Sequence, residues 1–296
     1  MLQFQEITPA DKPVFDAYLL SHDVLGCHQN FATIYLWAKS YQQTWCRFED
    51  WILVEIPANY GFPQGEGDIR RPVEALREHA QAHNRPLILW GLLDHQKDQL
   101  EAAYPGQFSY KESRDSFDYI YDAQKLATLA GKKLHAKRNF INRFEKENPD
   151  WSFEPITPDN LEEVQRMNRV WEQLNDWGQN MALQAEMSAI SRVFRHYQEL
   201  DFTGGLLRAD GRVVAYSVGS PLGTRAFDVH LEKAYYDVPG AYPTINREMV
   251  RHILERYPQV ELINREDDNG DDGLRQSKLS YKPEILLRKW RATWIG

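Results

Sequence analysis

The segment "GGLLRADGRVVAYSVGSPLGTRAFDVHLEKA" (204–234) restricts the fold more than any other part of the sequence. It predicts three consecutive β-strands, and Asp210-Gly211 between the first two strands is a strong signal for a tight hairpin. A helix is predicted next at 242–257, followed by a buried strand at 259–266. Helices and strands therefore alternate, and the hairpins argue against a purely parallel sheet.

The first half of the chain has the same order of elements. A hairpin is predicted at 44–57, a helix at 71–83 and a buried strand at 86–92. A chain of 296 residues is long enough for two domains that each bury a core. We therefore expect mixed α/β domains at 1–123 and 151–296, joined by a basic linker helix at 124–150.

Composition and charge exclude several classes of protein. The net charge of −8 argues against a protein that coats nucleic acid or membrane surfaces, because phosphate groups would be repelled. The two cysteines have neither metal-binding nor redox spacing, and we expect no metal site. No apolar run reaches the roughly 18 residues needed to span a membrane. The first residues do not resemble a signal peptide, so a cytoplasmic location is expected.

A basic segment at 131–146, "GKKLHAKRNFINRFEK", interrupts this acidic chain with a net charge of +5. Apolar residues within 124–146 fall on one face of a helix, which predicts an amphipathic helix with solvated cations on its other side. Lys133 and Lys137 point towards the apolar stripe instead. Their stems could extend along apolar surface to reach water, or their ammonium groups could face a cleft that binds a phosphate-rich ligand.

A second polar segment is "NREDDNGDDGLRQSKLSYKP" (264–283). Its spacing does not fit a calcium-binding loop. Asn264, Arg265 and Glu266 follow the buried strand at its carboxyl end, where open α/β sheets place their binding sites. Lys278 and Tyr281 come on the next turn, so a base, hydroxyl groups and cations could meet in one cleft.

Other catalytic motifs are missing from the sequence. There is no phosphate-binding loop and no Gly-x-Gly-x-x-Gly. His79 and His83 lack the glutamate of a zinc protease motif, and surface histidines are the better interpretation. Ser217 and Ser220 occur in predicted strands without a nucleophile elbow.

Four stretches carry a resemblance to a known family. They are "YIYDAQKLATLAGKKLHAKRNFINRF", "HLEKA", "GAYPTIN" and "INREDDNGDDGLRQSKLSYKP". The chain resembles soluble bacterial proteins related to the C-terminal domain of phosphatidylglycerol lysyltransferases. The resemblance covers nearly the whole chain and implies two tandem GNAT-like acyl-CoA N-acyltransferase domains, each with a mixed, largely antiparallel sheet flanked by helices. Relatives, including the peptidoglycan-bridge transferases, move an aminoacyl group from aminoacyl-tRNA to an acceptor.

This resemblance suggests roles for particular residues. Glu232 or Glu266 would act as general base, while Arg265 and Lys278 would stabilise negative charge. The residues expected to contact the substrate are Tyr242, Asn246, Asn264, Asp267, Ser280 and Tyr281. The residues expected to contact the tRNA backbone are Lys132, Lys133, Lys137, Arg138 and Arg143.

Two alternatives remain open at this point. An acyl-CoA N-acyltransferase would normally hold the CoA pyrophosphate at a glycine-rich turn that opens a helix. In the corresponding stretch, "YDVPGAYPTIN", Tyr242 replaces a small residue, so no CoA cofactor is expected. The other alternative is a non-catalytic protein whose polar cleft binds an amino acid or nucleic acid. The membrane-spanning half of the lysyltransferases has no counterpart here, and the acceptor stays undefined.

Overall fold

The computed structural model describes residues 2–174 and 181–296. In these ranges the strands are β1 (Gln5–Glu6), β2 (Thr44–Phe48), β3 (Trp51–Ile56), β4 (Asn59–Gly61), β5 (Gln64–Gly65), β6 (Ile88–Leu92), β7 (Phe108–Glu112), β8 (Asp118–Asp122), β9 (Ser152–Pro155), β10 (Thr203–Ala209), β11 (Arg212–Leu222), β12 (Ala226–Ala234), β13 (Leu262–Asn264), β14 (Ile285–Leu287) and β15 (Trp290–Trp294). The helices are α1 (Lys12–Leu19), α2 (Phe31–Ala38), α3 (Arg70–Ala82), α4 (Asp94–Ala103), α5 (Ala123–Thr128), α6 (His135–Glu147), α7 (Leu161–Leu174), α8 (Met181–Arg195), α9 (Ala241–Arg256) and α10 (Asp272–Ser280).

Two mixed sheets form the framework. The first has the order β1-β2-β3-β4-β6-β15-β7, with β5 paired to β3. The second has the order β14-β8-β13-β12-β11-β10-β9. Within the described residues, neighbouring strands are antiparallel except for the parallel pairs β4/β6 and β12/β13. The predicted architecture is confirmed: two mixed and largely antiparallel sheets, each flanked by helices.

Two strands pair outside the domain in which they were predicted, with 1–123 as the first domain and 151–296 as the second. β8 lies within 1–123 but pairs in the second sheet with β13 and β14. Of the two strands that follow α10, β14 pairs with β8 in the second sheet, whereas β15 returns to the first sheet between β6 and β7. Local sequence pattern predicts a strand but not its distant partner, which explains the difference.

A buried ion pair lies where the chain crosses between the sheets. Lys289 Nζ is 2.6 Å from Asp118 Oδ1, and both side chains are almost completely buried. Cys27 N also donates to Asp118 Oδ2 at 2.8 Å. The pair therefore joins the start of β8, the segment before β15 and the segment before α2.

The predicted linker helix at 124–150 is two helices. α5 ends at Thr128; the next residue, Leu129, has a left-handed backbone (φ 51°), and Gly131 follows with φ 88°. The Arg138 guanidinium of α6 then donates to the carbonyl groups of Leu129 and Gly131 (2.8 Å for Gly131). The periodicity of apolar residues continues across this break, so the sequence pattern alone did not reveal it.

The two units share a hydrophobic core. Phe15 of α1 and Phe31 of α2 pack in the same buried cluster as Trp171 of α7, Val193 of α8 and Leu206 of β10. The first unit thus covers one face of the second sheet with its own helices. This shared core fixes α2 against the residues of β12.

The parallel pair β12/β13 creates a gap in the second sheet. Asp228 is opposite Asn264 in the register, and β13 ends there while β12 continues to Ala234. The register of β11 and β12 also shifts, so that His230 is an extra residue in β12. Such bulges redirect side chains and are frequent beside functional sites. No helix among the described residues has the length and apolar composition needed to cross a membrane.

Candidate functional site

The gap beside β12 contains an ion pair between two predicted site residues. Arg265 Nη2 is 2.8 Å from Glu232 Oε1, and the two side chains are 10% and 11% exposed. Asn246, on α9, donates its amide hydrogen to Glu232 Oε2 at 3.0 Å. Both oxygens of Glu232 are therefore held, whereas Arg265 Nη1 is buried without a hydrogen-bond partner. A polar group of a ligand could satisfy this nitrogen.

Aromatic rings surround this ion pair. The Arg265 guanidinium lies 4.9 Å from the centroid of the Tyr281 ring and 5.8 Å from that of Tyr121. Lys137 Nζ lies 4.0 Å from the Tyr281 centroid. Burial, together with the smaller effect of the nearby Arg265, lowers the pKa of Lys137 to about 8, while Glu232 opposes the shift. Lys137 therefore belongs to the site and is not one of the solvated cations.

A lysine-lined cavity of about 450 Å³ lies next to these rings. Tyr121 and Tyr281 line it on the side of the ion pair. The lysines that line it are Lys125, Lys132, Lys133 and Lys282. Lys125 is paired with Glu284, which reduces its contribution to the positive potential. Lys132 and Lys133 are exposed. An anionic ligand in the cavity would lie between these two lysines and the Tyr121 and Tyr281 rings.

The predicted tRNA contacts do not form one uniform face. Lys132 and Lys133 lie at the cavity, and Lys137 reaches the Tyr281 ring. Arg138 is directed to backbone carbonyls at the end of α5. Arg143 pairs with Glu147 on the same helix at 2.8 Å. Two of the five cations are therefore free to meet a phosphate backbone at the cavity.

Several other predicted site residues hold the loop after β13. Lys278 is buried, and its ammonium donates to the carbonyl groups of Arg265 (2.5 Å) and Asp267. Asn264 Oδ1 accepts from Glu266 N at 2.6 Å and so fixes the left-handed backbone of Glu266 (φ 55°). These contacts position Arg265 and Glu266. The expectation that Lys278 stabilises negative charge stays a prediction; two of its three ammonium hydrogens already donate to backbone carbonyls.

The remaining predicted contacts are spread around this centre. Ser280 donates to the carbonyl of Ser277 at 2.5 Å, within the end of α10. Burial raises the pKa of Asp267 to about 6. Tyr242 is half-buried near Tyr236, with ring centroids 5.6 Å apart.

Sequence reasoning missed the polar group centred on His230. His230 Nδ1 is 3.1 Å from Glu266 Oε1, and Nε2 is 2.8 Å from Ser220 Oγ. Thr33 of α2 donates to Asp228 Oδ2 at 3.1 Å. A signal was present, since polar residues alternate with apolar ones at 228, 230 and 232 in "AFDVHLEKA". The contribution of α2, almost 200 positions earlier, had no local signal.

Comparison with solved structures supports the fold. A conserved protein of unknown function from Bacteroides thetaiotaomicron is 35% identical, with a TM-score of 0.95 and full coverage of both chains. The structure of L-PGS from Bacillus licheniformis is 14% identical, with a TM-score of 0.68 over 98% of this chain and 93% of that chain. The second likeness is evidence for the fold alone.

A curated relative matches only part of the chain. An uncharacterized protein of Mycoplasmoides gallisepticum is 28% identical over 182 residues, which are 59% of this chain. The match spans 55% of that relative, so the chain covers about half of its length. The family model described as phosphatidylglycerol lysyltransferase, C-terminal, matches residues 23–293. The chain therefore belongs to the phosphatidylglycerol lysyltransferase C-terminal family.

Proposed function

We propose that this protein is an aminoacyltransferase that moves an aminoacyl group from aminoacyl-tRNA to an amine or hydroxyl acceptor. The observation that carries the proposal is the Glu232–Arg265 pair beside the lysine-lined cavity, in a chain of this family. An aminoacyl ester is already activated. Its transfer needs orientation, removal of the acceptor's proton and stabilisation of a developing oxyanion.

The residues of the site match these three needs. Arg265 Nη1, which has no partner, would bind the developing oxyanion. Glu232 would accept the acceptor's proton, with Asn246 and Arg265 fixing its orientation. Lys137 would add positive charge beside the reacting carbonyl. Lys132 and Lys133 would contact phosphates near the acceptor end of the tRNA. Aminoacyl-tRNA as donor implies a cytoplasmic reaction.

The start of α9 favours tRNA over CoA as the donor. In acetyltransferases that use CoA, the amides at the corresponding helix start hold the pyrophosphate. Here α6 packs directly against this point: a Cβ on Gly240 would lie 2.2 Å from Phe140 O and 2.9 Å from Phe144 Cβ. Atoms of α6 therefore lie against the residue that precedes this helix start, where a pyrophosphate would approach.

Binding of tRNA across a salt series tests this proposal. We expect wild-type protein to bind aminoacyl-tRNA and deacylated tRNA at low salt, with affinity that falls steeply as salt rises. Lys132→Glu/Lys133→Glu should weaken binding by at least about tenfold and flatten the salt dependence, because two phosphate contacts are lost. The measurement is fluorescence anisotropy with labelled tRNA.

A matched control separates local contacts from total charge. Lys39→Glu/Lys111→Glu changes the net charge equally at two exposed lysines that do not line the cavity. Its affinity should stay within about threefold of wild type, since distant exposed charges are largely screened by salt. Absence of tRNA binding at low salt, or equal losses in both double variants, would contradict the proposal.

A further inference from the structure

Beside the Glu232–Arg265 pair, three potential metal ligands converge between the two units. We name Thr33, Asp228, His230 and Glu266 the His230 cluster. His230 Nδ1 lies 3.1 Å from Glu266 Oε1 and 3.7 Å from Asp228 Oδ2. One ligand atom each from Asp228, His230 and Glu266 lies within 4.8 Å of the others. The side chains of Asp228 and His230 are 0% and 2% exposed, and that of Glu266 is 17% exposed.

Lysines act on the carboxylates of the His230 cluster only without direct pairing: Lys289 on Asp228 and Lys278 on Glu266. Among the described residues, no lysine or arginine forms an ion pair with Asp228 or Glu266. Thr33 has a single hydroxyl hydrogen, which it donates to Asp228 Oδ2 at 3.1 Å. Asp228 Oδ1 is buried without any hydrogen-bond partner. A buried carboxylate in this state is costly unless a cation or a proton compensates it.

The spacing of the ligand atoms fits compensation of the buried charge by a cation. Oxygen and nitrogen ligands bind zinc at about 2.0–2.2 Å, which places neighbouring ligand atoms roughly 3 to 4 Å apart. The separations of 3.1 and 3.7 Å around His230 Nδ1 fall in this range. The hydroxyl of Thr33, 3.3 Å from His230 Nδ1 and 3.5 Å from Glu266 Oε1, lies on the same side.

The far side of the imidazole is held as it is in metal sites. His230 Nε2 is 2.8 Å from Ser220 Oγ, and Asn30 Nδ2 donates to that oxygen at 3.0 Å. A hydrogen bond at the second ring nitrogen fixes the ring orientation in most metal-bound histidines. In this arrangement Nδ1 is the nitrogen that faces the carboxylates.

A second group with similar residue types does not share these properties. Cys27, His28 and Asp118 also lie close together. Lys289 Nζ, however, is 2.6 Å from Asp118 Oδ1 and 3.3 Å from Cys27 Sγ. Its ammonium already neutralises the carboxylate and would repel a metal ion.

We propose that Asp228, His230 and Glu266 bind one divalent cation, with the Thr33 hydroxyl as a further ligand. One imidazole and two carboxylates suit Zn²⁺ and, less tightly, Mn²⁺. The cation joins α2 of the first unit to the gap between β12 and β13, so it holds the two units together beside the candidate active site. This assignment makes Glu266 a ligand, leaves Glu232 as the proton acceptor, and does not depend on the proposed function.

Metal binding to the purified full-length chain tests the proposal. The metal content is measured as purified, and the chelator-treated protein is then titrated with Zn²⁺ and with Mn²⁺ by calorimetry. We expect one cation per chain, with Zn²⁺ bound more tightly. His230→Ala and Glu266→Gln should each weaken binding by at least about tenfold. Saturating Zn²⁺ should raise the melting temperature of the wild type but not that of either variant.

A surface pair provides the matched control. His196 and Glu199 lie 2.6 Å apart, with Glu199 58% exposed. His196→Ala should bind Zn²⁺ and gain thermal stability as the wild type does. Binding below one cation per chain at micromolar Zn²⁺, or equal affinity in Glu266→Gln and wild type, would overturn the proposal. In that case a proton shared by Asp228 and Glu266 compensates the buried charge.

Discussion

At the residue scale, Lys137 lies between the basic segment and the Glu232–Arg265 pair. In the sequence it is one of six cations in the basic segment. In the structure its ammonium lies over the Tyr281 ring, close enough to Arg265 and Glu232 for both to affect its pKa. A lysine in this position is easier to deprotonate than a solvated one. It joins the basic segment to the candidate active site.

The lowered pKa of Lys137 predicts a pH dependence of stability. The pKa is about 8 in the folded protein and 10.5 for an unperturbed lysine, so the unfolded state binds more protons between these values. The free energy of unfolding of wild type, relative to Lys137→Met, should therefore rise as pH increases from about 8 to about 10.5. Urea unfolding across this pH range measures the difference. A constant difference would show that Lys137 is solvated.

At the scale of elements, α6 packs closely against the start of α9. Gly240 precedes α9 with a left-handed backbone (φ 84°), and Phe140 O lies where its Cβ would be. A residue other than glycine would meet both backbone strain and a clash. The glycine of "GAYPTIN" is therefore explained by helix packing, without invoking a bound pyrophosphate.

Replacing this glycine tests the close contact. Gly240→Ala should lower the free energy of unfolding by more than about 2 kcal/mol, since strain and clash add. Gly211→Ala is the matched control: Gly211 also has a positive φ (70°), but no atom lies within 4 Å of its added Cβ. This control should cost only about 1–2 kcal/mol. Equal losses in urea unfolding would mean that α6 does not press against α9.

Individual elements could largely be predicted, because their signals are local. The Asp210-Gly211 hairpin is present, with positive φ at both residues, as the sequence pattern indicates. The partners of β8 and β15 could not be predicted, since strand pairing depends on contacts far apart in sequence. The break between α5 and α6 was missed because a left-handed leucine has no clear sequence signal.

The candidate site was predictable to a similar degree. The structure brings together four of the residues named from the sequence: Glu232, Arg265, Asn246 and Tyr281. The His230 cluster was not found, because Thr33 comes from the first unit and reaches Asp228 only through the shared core. Convergence across two units is a property of the tertiary fold.

At the scale of the whole molecule, the two sheets are joined by chain crossings as well as by a shared core. β8, from the first half of the chain, lies in the second sheet, and β15, near the end of the chain, lies in the first sheet. The Lys289–Asp118 ion pair connects the starts of these two strands. Removing one partner of a buried ion pair leaves the other charge uncompensated. The junction is therefore a sensitive point for the stability of both units.

A charge-removing variant tests this view of the junction. Lys289→Met should lower the free energy of unfolding by about 3–5 kcal/mol, because Asp118 stays buried and charged. Lys289→Met/Asp118→Asn should recover part of that loss, since the carboxylate charge is gone. Denaturant unfolding of the three proteins measures both values. If the single variant loses less than about 1 kcal/mol, the ion pair does not stabilise the junction.

Measuring transfer itself is the most direct test of the proposed aminoacyl transfer from tRNA at the Glu232–Arg265 site. Labelled aminoacyl-tRNA is incubated with the protein and with lipid or small-amine acceptor fractions, and the loss of label from tRNA is followed. We predict that at least one fraction becomes labelled at a rate well above the protein-free reaction. Arg265→Ala should reduce this rate by about 100-fold. Binding of aminoacyl-tRNA without faster transfer to any fraction would contradict the account and leave a binding protein.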